Sequence, residues 1–228
     1  MSLFALLKGW LGEGMGSFAH WMYLDRASYT PLNNITLQMA DGSTTQIDHV
    51  IVSRYGIFVV EAKNIDGWIF GDPGSAQWTV VKPGRKHRIQ NPLRQNYRHV
   101  CCLAEFLQLA PSKIHSLVMF WGDCDFKTPL PPNVRRDGYA TYIKSFQDIL
   151  LSDQQVLEIC AALKAGAMPK TWATRHSHLA SLERRHTSME CRCGGALVLR
   201  SSKVGSSAGR TFYGCNRYPK CRYTRPAA

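Results

Sequence analysis

The chain has 228 residues, of which 45% are hydrophobic and 19% charged. This composition supports one domain of ordinary size plus a smaller unit and excludes a disordered chain. The net charge is +12, and residues 170–228 hold 12 basic against 2 acidic residues, which leaves +10 in that segment. A basic segment of this kind is typical of proteins that bind nucleic acid, although an anionic membrane surface or simple solvation of the tail would suit it too.

We expect a soluble, cytoplasmic protein without a membrane partner. No apolar run approaches the roughly 20 residues that span a bilayer. Residues 1–11 also lack the basic start and unbroken apolar run of a signal peptide. Four of the eight cysteines are scattered through apolar stretches, which is typical of buried free thiols: Cys101, Cys102, Cys124 and Cys160.

In chain order, hydrophobic periodicity predicts a first helix and then five strands: 12–28, then 34–39, 45–53, 56–62, 68–71 and 78–81. A helix follows from Asn91 to about Leu109, then strands at 114–121 and 139–143. Ser152 is the expected N-cap of a helix that ends near Gly166. This order predicts a mixed α/β (α+β) domain over 1–166, a basic linker over 167–190 with at most a short helix near 178–185, and a small second unit over 191–228.

Two apolar strands are expected to pair as a hairpin. Each carries charge toward the end that lies away from the turn. Glu61 and Lys63 are two residues apart, so on a strand they share one face. With a two-residue loop at Arg54-Tyr55, Asp48 would lie opposite Glu61. With the loop at Tyr55-Gly56 it would lie opposite Lys63. Both registers put the three residues on one face, whereas a three-residue loop would break this arrangement.

This pattern predicts metal-assisted hydrolysis of a phosphodiester bond. Neighbouring carboxylates stay ionised most easily around a cation, and their hard oxygen atoms suit magnesium or manganese. A lysine beside them can orient the attacking water and stabilise charge on the phosphate. The alternative is an ordinary Glu–Lys pair at the end of a strand.

Further polar residues are placed near this site by their spacing. Strand alternation puts Gln46 on the active face, where it would bond water or phosphate, or else serve as a sheet-edge polar group. His49 is expected on the opposite face with a structural role. Asn91, Gln95 and His99 lie at four-residue helical spacing. Gln95 is a candidate to reach the site, and an ordinary polar helix face is the alternative.

The remaining cysteines indicate a zinc ribbon. Cys191 and Cys193 precede a predicted hairpin that is followed by Cys215 and Cys221, so four thiolates can close a tetrahedral site. A unit this small cannot bury enough surface to fold alone, and the metal would supply the stability. Disulfides or free thiols are the alternatives.

Four separated motifs resemble the nuclease-related domain (NERD), a branch of the restriction-endonuclease-like superfamily. They are residues 46–50, 55–64, 67–71 and 91–96, and the likeness runs from about Gly12 to Phe106. The resemblance implies a mixed sheet flanked by helices. It further implies that Asp48 and Glu61 hold magnesium, that Lys63 lies beside the water, and that Glu13 supplies an acidic residue from the first helix.

The C-terminal unit resembles the four-cysteine zinc finger of bacterial type I topoisomerases, through residues 194–200 and 214–221. The resemblance implies binding of single-stranded DNA through aromatic stacking and phosphate contacts, for which the candidates are Arg210, Phe212, Tyr213, Arg217, Tyr218, Lys220, Arg222 and Tyr223. Packing of the ribbon itself is the alternative role for its aromatic residues. Only one residue separates Cys191 from Cys193, where the family has two, so His186 is an alternative ligand.

Together these features predict a magnesium-dependent deoxyribonuclease whose zinc ribbon binds DNA. Two alternatives stay open. One is a catalytically silent DNA-binding or adaptor protein on the same fold, and the other is a nuclease that acts on RNA.

Overall fold

The computed structural model describes residues 24–187, 189, 191, 195–202 and 209–227, with the backbone alone at 184–187 and 226. The predicted first helix lies outside this range except for 24–28, which form a turn. The chain divides into two compact units, Met1–Pro169 and Lys170–Ala228. Within the described part of the chain, no helix combines the length and apolar character needed to cross a membrane.

The first sheet of the larger unit has five strands in the order β1-β2-β3-β7-β9. Their bounds are β1 (Tyr29–Gln38), β2 (Thr44–Ser53), β3 (Gly56–Lys63), β7 (Ile114–Phe120) and β9 (Val134–Arg135). β1, β2 and β3 are antiparallel, whereas β7 and β9 add in parallel. β3 and β7 are nearly continuous apolar runs because both of their faces are covered.

A second sheet of four strands has the order β6-β5-β4-β8. It is formed by β4 (Gly67–Phe70), β5 (Gln77–Lys82), β6 (Arg85–Gln90) and β8 (Cys124–Phe126). β4 and β8 are parallel and continue the chain beyond β3 and β7 respectively, so the second sheet extends from the central strands of the first.

Among the described residues of this unit, three helices flank the sheets: α1 (Pro92–Leu107), α2 (Tyr139–Lys144) and α3 (Asp153–Gly166). A 3-10 turn, Pro111–Lys113, precedes β7. The side chain of Asn91 caps α1 by accepting from the backbone N–H of Leu93. Ser152 forms a capping box with Gln155 at the start of α3, which confirms the predicted cap.

Apolar clusters cover both faces of the first sheet. On one face α1 and α3 pack over the sheet, with Val100, Leu103, Ile159 and Leu163 among the buried residues. On the other face α2 packs over Phe58, Val60 and Leu117. The mixed α+β fold predicted from the sequence is therefore confirmed.

The β2–β3 hairpin has the two-residue loop Arg54-Tyr55. Ser53 pairs with Gly56, and the ladder runs to the pair His49 and Val60. The even-length loop is thus confirmed, and the paired register ends one residue before Asp48. Gly56 has φ +114°, and a Cβ there would lie 2.8 Å from the carbonyl oxygen of Lys113, so the turn requires glycine.

Two expectations for this unit were wrong or incomplete. Residues 139–143 are helical, not a strand, because Tyr139 and Ile143 are buried at the four-residue spacing of a helix. β6 was not predicted, because its run of charged residues shows little apolar alternation. The short strands β8 and β9 were also not predicted.

The smaller unit contains α4 (Trp172–Thr187) and an antiparallel sheet in the order β10-β11-β12. These strands are β10 (Leu197–Ser201), β11 (Thr211–Cys215) and β12 (Thr224–Pro226). The segment expected as a linker at 167–190 is therefore mostly helix, twice as long as the short helix allowed for it.

The side chain of Asn96 on α1 joins the two central parallel strands. It is fully buried, and its Nδ2 donates to the carbonyl oxygen of Val59 at 2.9 Å and to that of Leu117 at 3.0 Å. It also reaches Ser116 Oγ at 2.8 Å. A helix that crosses between parallel strands is thereby fixed over both of them.

We predict that Asn96→Ala lowers the free energy of unfolding by about 3 kcal/mol, because it removes three buried or partly buried hydrogen bonds and opens a cavity. Urea unfolding followed by tryptophan fluorescence measures this, since five of the six tryptophans lie in residues 1–169. The exposed Glu105→Ala on the same helix is the control. Equal midpoints for the two variants would contradict the prediction.

Candidate active site and zinc site

Asp48 lies where β2 separates from β3. The last pair of the ladder is His49 with Val60, and beyond it Asp48 Oδ2 accepts a hydrogen bond from the backbone N–H of Ala62 at 2.9 Å. The carboxylate therefore takes the place of a ladder partner and lies against the β3 backbone at Ala62, the residue after Glu61. Its half-buried side chain is held by the backbone of the strand that carries the other charges.

Glu61 is the most buried charged side chain of the cluster, at 2% exposure. Oε1 lies 2.5 Å from Lys63 Nζ, and Oε2 lies 3.3 Å from His99 Nε2. Burial raises the pKa of Glu61, but the close contact with His99 and the charge of Lys63 together outweigh it, so the pKa lies below its ordinary value. Glu61 is therefore ionised at neutral pH.

Lys63 connects β3 to α1. Its ammonium group also donates to Gln95 Oε1 at 3.1 Å, and the side chain is 20% exposed. Gln95 and His99 are four residues apart on α1, so both side chains face the end of β3. The prediction that Gln95 reaches the carboxylate–lysine cluster agrees with this contact.

His99 was not identified from the sequence as a site residue. Its Nδ1 lies 2.8 Å from Thr45 Oγ1, and its Nε2 faces Glu61, so the three side chains form a chain of polar contacts. The only indication in the sequence that His99 belongs to the site was its four-residue spacing from Gln95 and Asn91. That spacing alone did not specify which strand the helix face covers.

The structure does not bring Gln46 to the cluster. Its amide donates to Asn34 Oδ1 at 2.7 Å. Strict alternation fails here because Ile47 and Val50, three residues apart, both pack in the cluster under α1. The break lies beside Asn34, which has φ +52° on the neighbouring strand. As a result Thr45, not Gln46, contacts His99.

Two further residues, His49 and Glu13, were singled out from the sequence. His49 is buried, and its Nδ1 lies 3.0 Å from Asn33 Oδ1. Burial lowers the pKa of His49 from its ordinary value to about 4, so it is neutral at physiological pH. Glu13 lies outside the described residues.

The donor set suits a hard divalent cation. Asp48 and Glu61 present carboxylate oxygens from adjacent strands, and hard oxygen atoms are the ligands that such a cation prefers. These two residues are the ones that would hold magnesium or manganese, while Lys63 supplies a fixed positive charge beside them.

The second candidate site is the cysteine cluster of the smaller unit. The Sγ atoms of Cys191, Cys215 and Cys221 lie within 4.8 Å of one another. Those of Cys191 and Cys221 are 3.6 Å apart. The backbone N–H of Arg217 donates to Cys215 Sγ at 3.3 Å, a contact that stabilises a thiolate. Cys193 and the side chain of His186 lie outside the described residues, so the choice between them stays open.

The predicted DNA-contacting residues of the ribbon differ in exposure. Exposed positions are Arg210, Arg217, Tyr218, Lys220 and Arg222. Tyr213 and Tyr223 instead pack against the cysteine cluster, and the guanidinium of Arg225 lies 5.3 Å from the ring centroid of Tyr213. Tyr218 is thus the aromatic side chain in this set with the most accessible face, at 60% exposure.

Two protein-family models match the chain, one within each unit. The model of the nuclease-related domain matches residues 8–121, and that of the topoisomerase DNA binding C4 zinc finger matches residues 190–228. An uncharacterized protein of Bacillus anthracis is 35% identical over 162 residues, which cover 67% of this chain and 74% of that protein. No solved structure matches the chain significantly.

The chain therefore belongs to the nuclease-related domain family, which indicates a nuclease-type function. It also carries a C-terminal zinc ribbon of the topoisomerase type, which indicates DNA binding. The ribbon match and the cysteine cluster together support a structural zinc.

We predict that the purified chain contains about one zinc ion, because the cysteine thiolates close one tetrahedral site. Cys215→Ser should remove the zinc, since it deletes a buried ligand. Cys101→Ser, in the larger unit, should retain it. Elemental analysis measures all three proteins, and equal zinc content in both variants would be inconsistent with this assignment.

We predict that His99→Phe raises the pKa of Glu61. The phenyl ring keeps the site apolar but cannot donate, so the effect of burial is less opposed. Carbon NMR titration of the glutamate carboxyl groups measures the shift, and a nuclease assay should show the acid limb of its pH profile at higher pH. His176→Phe, on exposed α4, is the control. A Glu61 titration identical in the wild type and His99→Phe would refute the assignment.

Proposed function

We propose that this protein is a magnesium-dependent nuclease that hydrolyses phosphodiester bonds in DNA. The observation that carries the proposal is the buried carboxylate of Glu61, which contacts Lys63 and His99, while Asp48 accepts a hydrogen bond from the next residue of the strand, Ala62. A structural role alone does not require two carboxylates and a lysine at the divergence of two strands.

Asp48 and Glu61 would hold the magnesium or manganese ion. When bound, such an ion lowers the pKa of a coordinated water and offsets negative charge on the phosphate. His99 orients the Glu61 carboxylate through Oε2, and Thr45 fixes the His99 ring in turn. Both residues therefore act through Glu61 and are positioning residues.

Lys63 is the residue we assign to the attacking water and the phosphate. An ammonium group has three N–H donors, and two of them are used by Glu61 and Gln95. Within the described part of the chain the third has no protein acceptor, so it is available to a water or a phosphate oxygen. This donor can orient the nucleophile and stabilise charge as the bond breaks.

The zinc ribbon would bind single-stranded DNA. Tyr218 offers an exposed ring to a base, and Arg217, Lys220 and Arg222 offer cations to phosphates. The concentration of +10 charge in residues 170–228 supports this role, because phosphate contacts supply most of the affinity for nucleic acid.

We predict that Lys63→Ala reduces magnesium-dependent cleavage of plasmid DNA by at least about 100-fold, the usual loss when one donor to a developing charge is removed. Gel assays of circular and linear DNA, single- and double-stranded, with a matched RNA strand, measure the rate and the substrate class. Lys164→Ala, an exposed lysine of the same unit, should cleave like the wild type.

Equal rates for Lys63→Ala and the wild type would show that the cluster is not catalytic. Cleavage of RNA and not DNA would support the active-site assignment but show that the substrate is RNA. Zinc content should be unchanged in both lysine variants, which separates this result from damage to the ribbon.

A further inference from the structure

The second sheet of the larger unit has a buried face and an exposed face. Ile69, Trp78 and Phe126 pack on the buried side, in the cluster that also contains Phe120. Alternate residues of β4 point the other way: Trp68 is 55% exposed and Phe70 is 40% exposed. We call the side that carries Trp68 and Phe70 the outer face.

The strand register places basic residues on the outer face with these rings. Trp68 pairs with Val81, which pairs with Lys86. Phe70 pairs with Thr79, which pairs with Arg88. Directly opposed residues in a sheet share a face, so the outer face has two rows. Each row begins with an aromatic residue and ends with a basic one. The two are separated by two strand spacings, or roughly 10 Å.

A further cation lies on the other side of Trp68. Lys127 follows β8, and its Nζ lies 5.2 Å from the centroid of the Trp68 ring. Lys127 also pairs with Asp125, whose second oxygen lies 3.7 Å from Arg136 Nη1. Asp125 is therefore shared by two cations.

The charge of the β5–β6 hairpin is exclusively positive. Residues 77–90 include four lysines and arginines and no aspartate or glutamate. Lys82 pairs with Asp66 at 3.0 Å. Within the described residues Arg85, Lys86 and Arg88 have no ion pair, and all three are exposed. The unit that carries this hairpin is otherwise close to neutral, so the hairpin is a local concentration of positive charge, to which Lys86 and Arg88 contribute on the outer face.

These properties fit a single strand of nucleic acid. Exposed aromatic rings stack on bases whose faces are free, and neighbouring cations contact the phosphates. A duplex hides its base faces, so it would use the cations and leave the rings unused. An acidic protein surface would match the cations but has no base faces for two adjacent rings.

We propose that the outer face is a binding site for single-stranded nucleic acid, separate from the zinc ribbon, in which bases stack on Trp68 and Phe70 and phosphates contact Lys86, Arg88 and Lys127. The choice of ligand rests on the proposed nuclease function. β4 begins four residues after Lys63, so a short connection joins the strand that carries Glu61 and Lys63 to this surface.

The test is fluorescence anisotropy with a labelled oligothymidylate and the full-length, zinc-loaded chain, without added magnesium. Trp68→Ala and Phe70→Ala should each weaken binding about tenfold, as expected for loss of a stacked base. Trp172→Ala, an exposed tryptophan of α4, should bind like the wild type. Affinity unchanged in both outer-face variants would overturn the proposal.

Two further readouts keep the result specific. Arg88→Gln should reduce the logarithmic salt slope by about 0.7, the value for one phosphate contact on a single strand, whereas Lys164→Gln should not. Ultraviolet cross-linking of the oligothymidylate should label the tryptic peptide 64–85. Cross-links confined to peptides of residues 170–228 would overturn the proposal.

The remaining outcomes identify other partners. A loss of the same size on duplex DNA would overturn stacking. Loss of phosphatidylserine vesicle binding with retained oligonucleotide binding would point to a membrane surface instead.

If the outer-face variants lose binding while the wild type shows no magnesium-dependent cleavage, the proposed nuclease function fails and the proposal for the outer face stands. If Lys63→Ala abolishes cleavage and the outer-face variants bind normally, the reverse holds.

Discussion

The buried carboxylate of Glu61 constrains the architecture of the larger unit. A charge at 2% exposure is stable only where cations and hydrogen-bond donors surround it. Lys63 supplies a cation from the same strand, and His99 places a ring nitrogen against the carboxylate from α1. The helix must therefore cross the end of β3, and Asn96 fixes it there through the backbones of β3 and β7. The same contacts that stabilise the fold keep the carboxylate ionised, so stability and site geometry depend on one set of side chains.

In our proposal the two sheets of this unit have different roles. The parallel pair β3 and β7 continues along the chain into the parallel pair β4 and β8. The charged side chains of Glu61 and Lys63 lie on the α1 side at the end of β3, where they are largely buried. The outer face beyond them exposes aromatic rings and unpaired cations to solvent. A strand held on an exposed platform and cut at an adjoining buried site would use both properties of this chain segment.

The sequence predicted the features that depend on local spacing. Glu61 and Lys63 share a face because they are two residues apart on a strand, and Ser152 caps a helix because its side chain reaches the third residue on. Features that depend on tertiary contacts were missed. His99 lies on a polar helix face whose partner strand is not encoded in the spacing. Gln46 was misplaced because the alternation breaks next to Asn34. The short helix at 139–144 was taken for a strand because six residues show too little of either periodicity.

The most direct test of the central claim is manganese binding to the zinc-loaded protein, measured by loss of the free-ion signal in electron paramagnetic resonance. The wild type should bind manganese outside the zinc ribbon, and magnesium should displace it. Asp48→Asn and Glu61→Gln should lose this binding, since each removes a charged oxygen ligand. Glu158→Gln, an exposed carboxylate on α3, should retain it. Manganese binding that is the same in the wild type, Asp48→Asn and Glu61→Gln would contradict the metal site and the nuclease mechanism built on it.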